Sequence, residues 1–168
     1  MSLYYFDTSA LVKYYVTEPG STWVRQLVDQ TDADTGQPVN TIFITEISLV
    51  EVASALAILN RVGRITRRDR DRAYRNFMND AWRLFDLLSL VTADFLTAAG
   101  LTQRHPIRAY DAVQLTVALR RNALLTQTKL ALIFVSGDKQ QLTAAEVEGL
   151  TVEDPFNHLS STDTLPST

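Results

Sequence analysis

The order of segments along this chain predicts an α/β domain, three layers deep, with a mainly parallel central sheet and helices on both faces. Three observations carry that reading. Short apolar runs of strand length recur, segments of helical periodicity separate them, and acidic residues stand at several of the junctions. With 168 residues, 46% hydrophobic and 21% charged, the chain has the size and composition of one domain around one core.

Residues 3–6 are an apolar run ending in Asp7-Thr8-Ser9, after which Ala10, Leu11, Tyr14 and Tyr15 recur at helical spacing; this reads as strand, tight junction, helix. Glu18-Pro19-Gly20-Ser21 breaks the helix, residues 22–30 form a second with Trp23, Val24, Leu27 and Val28 buried, and residues 32–40 are a polar loop. Residues 41–45 are β-rich. The helix that follows, residues 49–61, has Ser48 and Glu51 as a possible capping box and Ile47 against Val52 as its staple, with Gly63 as its stop. Residues 66–85 predict one long amphipathic helix striped by Ala73, Tyr74, Phe77, Met78, Ala81, Trp82 and Phe85. A strand over 87–91 then leads to a helix capped by Thr92 and running to 103; beyond His105-Pro106, a helix over 111–121 is buried on a wide face. Residues 132–135 form an apolar strand ended by Ser136-Gly137-Asp138, and residues 150–152 add a last short one. The domain is expected to span residues 1–157, with 158–168 as a Ser/Thr-rich, disordered C-terminal tail.

Composition removes several chemistries. The chain has no cysteine, which excludes disulfides, zinc thiolate sites and thiol nucleophiles. Its two histidines, His105 and His158, form no ligand motif, so a metal would rest on oxygen, which favours Mg²⁺ or Mn²⁺. No apolar run of membrane-spanning length and no leader-like start is seen, so no membrane partner and a cytoplasmic location are expected. The net charge of −3 does not advertise a nucleic-acid binder. Locally, however, residues 61–75 hold seven arginines, among them Arg67 and Arg68, opposed only by Asp69 and Asp71.

Four acids matter for where they fall. Asp7 and Asp138 follow apolar strands, and Glu51 and Asp111 stand near the starts of helices. Each alone has an ordinary reading as a cap, a first-turn residue or a turn ending. Together they occupy junctions that an open parallel sheet collects at the carboxyl edge of its strands, where such folds place ligands. Convergence of like charges about 4 Å apart costs about 4 kcal/mol per pair at an effective dielectric of about 20, and a divalent cation offsets that.

The segments Tyr5-Phe6-Asp7-Thr8-Ser9-Ala10-Leu11, Ser48-Leu49-Val50-Glu51-Val52, Tyr110-Asp111-Ala112-Val113-Gln114-Leu115 and Phe134-Val135-Ser136-Gly137-Asp138 resemble, in order, the motifs of PIN-domain nucleases. The likeness is greatest to VapC-type toxins of toxin-antitoxin pairs. It implies a PIN-like fold, an acidic quartet of Asp7, Glu51, Asp111 and Asp138 around Mg²⁺ or Mn²⁺, and Ser9 as a supporting polar group. It further implies metal-dependent cleavage of RNA phosphodiesters by an endoribonuclease, a cognate antitoxin protein as partner, and a homodimer. The segments 32–40 and 122–130 are extra relative to the compact toxins.

Other residues invite weaker readings. Arg67 and Arg68 could contact RNA, or the stretch could be a solvated face with Arg67/Asp71, Arg68/Asp71 or Asp69/Arg72 pairs. Lys13 and Lys139 could approach a substrate, although surface lysines are usually only solvated. Glu46, Glu153 and Asp154 read as exposed acids outside the site, His105 as a loop residue, and the aromatic residues as core. Two rival functions stay open. One is a catalytically silent PIN-like module that binds RNA or protein; the other is a phosphoryl-transfer enzyme using Asp7 as nucleophile, although such sites usually carry a second Asp where this chain has Ser9.

Overall fold

The computed structural model describes residues 2–163. Strand β1 (Leu3–Phe6) enters α1 (Thr8–Tyr15), and α2 (Ser21–Asp29) precedes β2 (Thr41–Thr45). Helices α3 (Ser48–Arg61) and α4 (Arg67–Asp80) lead to β3 (Asp86–Leu88). Next come α5 (Thr92–Arg104), α6 (Ala109–Thr126), β4 (Leu132–Val135), α7 (Lys139–Val147) and β5 (Thr151–Glu153), then short 3-10 turns at Pro155–Asn157 and Ser161–Asp163. The sheet has the order β3-β2-β1-β4-β5, and every pairing is parallel.

Strand alternation explains the three layers. Leu3, Tyr5, Phe43, Leu132 and Phe134 point into a core shared with α5, α6 and α7. Their neighbours Phe6, Ile42, Ile44 and Val135 point the other way, into a second core shared with α1, α2, α3 and α4. Because both faces are covered, the strands read as near-continuous apolar runs. Among the described residues, no helix is long and apolar enough to cross a membrane.

Several expectations are corrected. The long helix ends at Asp80 rather than residue 85, because the Asp80 carbonyl accepts from the N–H groups of Arg83, Leu84 and Phe85 and turns the chain. Helix α6 extends at both ends and takes in much of segment 122–130. It closes with Leu130 N–H on the Leu125 carbonyl and Lys129 N–H on that of Thr126, which places Lys129 at φ 61°. At the end of α3, Gly63 (φ 75°) fills the same place, as expected. Strands β3 and β5 lie over Asp86–Leu88 and Thr151–Glu153, offset from the expected 87–91 and 150–152. Helix α5 starts from Val91, whose N–H donates to Asp94 Oδ2, with Thr92 already inside. Helix α7 was not foreseen, since its nine residues hold only Leu142, Val147 and two alanines as apolar signal.

The capping box at Ser48 and Glu51 does not form. Ile47 is the cap, Ser48 is buried inside the helix, and Ile47 and Val52 pack into opposite cores. Nor is the chain beyond residue 157 loose throughout. His158 stacks on Trp23 at 4.2 Å, and buried Asp163 accepts from Gly20 N and Thr22 N at the start of α2. Within the expected tail, residues 158–163 are therefore held by a helix terminus that needs acceptors. The remainder, 164–168, lies outside the described residues.

Candidate metal centre

Parallel pairing brings the carboxyl ends of β1, β2 and β4 side by side, with Phe6 opposite Val135 and Tyr5 opposite Phe43. Asp7 leaves β1 with ψ 176° as the cap of α1. Its Oδ1 accepts from Ala10 N (2.9 Å) and Ser9 Oγ (2.7 Å), and Ser136 Oγ, 2.8 Å away, donates to Oδ2. Asp7 is 5% exposed. Burial pushes its carboxyl up to about 6, against the pull of the Ala10, Ser9 and Ser136 hydrogen bonds, with the Asp111 charge adding to the rise.

Freed from the capping box, Glu51 reaches across the fold. Its Oε2 accepts from Thr8 Oγ1 (2.9 Å) and Gln114 Nε2 (2.7 Å). Gln114 is fully enclosed, also donates to Thr8 Oγ1 (2.9 Å), and accepts from the buried Tyr5 hydroxyl (2.9 Å). Every polar atom of that amide is engaged, which locks the Glu51 side chain to the start of α1. Burial raises the Glu51 carboxyl, with Gln114 and Thr8 opposing and Asp111 reinforcing.

Asp111 lies in the first turn of α6 and accepts from Arg108 N through Oδ2 (3.3 Å). Burial raises it, and the neighbouring Asp138 charge pushes the same way. Asp138 caps α7, with Oδ1 accepting from Gln140 N (2.8 Å) and Gln141 N (3.3 Å). Ser9 ties the two sides together, because its Oγ donates to Asp7 and accepts from Gly137 N (2.7 Å). Gln141, also buried, sits beside Ser136 Oγ (3.0 Å) and donates to the Asp111 carbonyl (3.2 Å).

Asp7, Asp111 and Asp138 border one cavity of about 480 Å³, while Glu51 stands off its wall, behind Thr8. No three Asp, Glu or His side chains close into a tight ligand cage among the described residues. The donor set still suits a hard divalent cation, being all carboxylate. Glu51 Oε1, Asp111 Oδ1 and Asp138 Oδ2 carry no protein hydrogen bond among the described residues, and each acid's other oxygen is anchored.

Arg67 and Arg68 are not on this cavity; of their stretch, Arg64 is. Arg67 approaches Asp71 only to 4.0 Å, Arg72 pairs with Asp69 at 2.7 Å, and no Arg68–Asp71 pair forms among the described residues. Glu46 accepts from Leu90 N, Glu153 pairs with His158, and Asp154 caps the turn at Phe156. Lys13, weighed as able to approach a substrate against a solvated surface lysine, is 3% exposed and lines the cavity. Gln114, Thr8, Ser136 and Gln141 were missed as supporting residues. The available signal for Gln114 was a lone amide three residues after Asp111 on an otherwise apolar helix face, which demands buried partners.

A model of the PIN domain family matches residues 4–146. Ribonuclease VapC45 and Ribonuclease VapC49, from two strains of Mycobacterium tuberculosis, are each 33% identical over 119 residues, covering 71% of this chain and 76% of theirs. Among solved structures, PAE2754 from Pyrobaculum aerophilum superposes with a TM-score of 0.56 at 18% identity, over 94% of this chain and 86% of that one. FitAcB from Neisseria gonorrhoeae gives 0.57 at 15%, over 91% and 98%. VapBC2 from Rickettsia felis, solved bound to a DNA fragment from its promoter, gives 0.57 at 14%, over 90% and 98%. At these identities the solved neighbours establish a shared fold.

Proposed function

This chain belongs to the PIN domain family, and we propose that it is a divalent-metal-dependent endoribonuclease, the toxin of a VapBC-type toxin-antitoxin pair. The observation that supports this reading is the cavity bordered by Asp7, Asp111 and Asp138, with Glu51 tied to it through Thr8; Glu51, Asp111 and Asp138 each keep an oxygen that accepts from no donor among the described residues. The ribonuclease names of the mycobacterial relatives support RNA as substrate. The neighbours named VapBC2 and FitAcB support an antitoxin protein as partner. A homodimer is part of the same reading, with Val91, Phe95 and Leu96 offering exposed apolar surface at α5, as is a cytoplasmic location.

In this mechanism Asp7, Asp111 and Asp138, with Glu51 reaching in from behind Thr8, would hold Mg²⁺ or Mn²⁺. When bound, such an ion would supply Lewis acidity toward the phosphodiester and a more acidic water. The chain's own groups do the positioning. Ser9, Ala10 N–H and Ser136 fix Asp7 in one orientation, and Gln114 with Thr8 does the same for Glu51. Burial raises the Asp7 carboxyl to about 6, and beside a bound divalent cation it would return toward the ionised form that ligation needs.

The test is cleavage of a mixed structured RNA pool with Mg²⁺ or Mn²⁺, beside EDTA and a folded Asp7→Asn control. Cleavage lost in both controls is the expected result. RNA or protein binding with no metal-stimulated cleavage would leave a silent PIN-like module instead.

A further inference from the structure

The cavity that holds the acids also has a basic wall, and nothing in the metal chemistry uses it. Lys13 and Arg64 line it together with Asp7, Asp111 and Asp138. A lysine side chain 3% exposed is costly unless its charge is answered. Here the one carboxylate paired with it among the described residues is long and shared. Glu18 Oε2 lies 3.5 Å from Lys13 Nζ, and the ammonium rests over the Phe156 ring, 4.1 Å from its centroid. The same carboxylate, through Oε1, is also the partner of Arg64, at 3.4 Å. One carboxylate is thus shared by two cations, and the other acids of the cavity, Asp7, Asp111 and Asp138, are the ones assigned to the metal.

The surroundings keep this group next to the acids. A Cβ on Gly137 would stand 3.1 Å from the Phe156 ring, 3.3 Å from Ser9 Oγ and 3.7 Å from Lys13 Cε. Glycine there lets the turn before Asp138 close on α1, so Lys13 and Phe156 sit a side chain away from Asp138 and Ser9. Arg64, half exposed, also borders a second cavity of about 590 Å³ shared with Asn60, Arg72 and Asn76.

We propose that Lys13 and Arg64 form a phosphate subsite for single-stranded RNA, holding the phosphodiester adjacent to the one presented to the carboxylates. Lys13 and Arg64 share the single Glu18 carboxylate, and an ammonium beside a guanidinium offers a phosphodiester both a point charge and a planar donor. The inference rests on the ribonuclease reading for the identity of its ligand.

Binding is read by fluorescence anisotropy of a labelled random-sequence RNA decamer on Asp7→Asn protein, where turnover does not intervene. Adding Lys13→Met should weaken affinity about tenfold or more, the loss of a charge-assisted hydrogen bond. It should also lower the slope of log affinity against log salt by about 0.7, as for one lost phosphate contact on a single strand. Arg64→Gln, at an exposed position that does not endanger folding, should act in the same direction. On the wild-type background both changes should raise KM far more than they lower kcat. Metal-dependent cleavage with unchanged affinity and salt slope in both variants overturns the subsite and leaves the nuclease standing. Weakened binding in the variants, with no metal-stimulated cleavage by the wild type, supports the subsite and sinks the nuclease reading.

Discussion

Asp7 and Asp69 are both aspartates in hydrogen-bonding reach of a Ser or Thr hydroxyl near a helix start, yet their chemistry diverges. Asp7 is enclosed at the sheet edge, and burial lifts its carboxyl to about 6. Asp69 lies on the open surface of α4, where the Thr66 hydrogen bond first and the Arg72 charge after it hold its carboxyl below the usual range. The arginines around Asp69 follow suit: Arg72 is spent on it at 2.7 Å, and Arg70 on Asp71 at 2.6 Å. The difference teaches that density of charge is a poor guide to reactivity. Desolvation and fixed orientation make a charge usable, and these come from the packing around it.

The sharpest way to break that contrast is to neutralise acids in both regions. Asp7→Asn or Asp111→Asn should reduce metal-dependent RNA cleavage by about a hundredfold or more with an unchanged circular dichroism spectrum, since a metal ligand matters more than its supports. Asp69→Asn should leave cleavage within about twofold. Equal losses at Asp7 and Asp69 would erase the distinction.

A second test uses pH in the absence of metal. The carboxyl of Asp7 is raised in the folded state, so the protonated form is the one folding favours. Its stabilising contribution is complete below about 3.8 and is lost as the pH rises through about 6. Denaturant unfolding in EDTA should therefore show the wild type losing up to about 3 kcal/mol relative to Asp7→Asn between pH 4 and pH 7.5, about two units at 1.36 kcal/mol each. Adding Mg²⁺ or Mn²⁺ at neutral pH should return part of it to the wild type alone. A difference that does not vary with pH would mean that the enclosure of Asp7 has no electrostatic consequence.

The supports of the acids give a smaller effect. Gln114→Leu should lower metal affinity about 10- to 100-fold, seen as a shift in the metal concentration for half-maximal cleavage. It also leaves the buried Tyr5 hydroxyl without its acceptor, at about 1–3 kcal/mol in unfolding free energy. Smallest of all, Arg67→Ala with Arg68→Ala should change stability by no more than about 0.5 kcal/mol and cleavage by less than about twofold. A large loss of cleavage there would restore α4 as an RNA contact.

How far the site could be read beforehand depended on which contacts were local. Asp7 as the cap of α1 was legible from a strand-length run followed at once by helical spacing. Glu51 was legible as an acid at a junction but misread as half of a capping box. Its true partners, Thr8 and Gln114, lie 43 and 63 residues away. For Lys13 the sequence left approach to a substrate and a solvated surface role both open, because nothing in its helix says that Phe156, near the end of the domain, will cover it.

The sequence by itself determined the alternation of strands and helices, the two-faced burial of the strands and the junction positions of four acids, because these follow from periodicity over a few residues and from the backbone preferences of caps and breakers. Only the tertiary structure decided which polar groups meet: the hold of Gln114 on Glu51, the burial of Lys13, the capping of α2 by Asp163 and the separation of Arg64 from the rest of its arginine run. The physical reason is distance along the chain. A hydrogen bond between residues tens of positions apart depends on sheet order and crossover packing, and no local pattern encodes either.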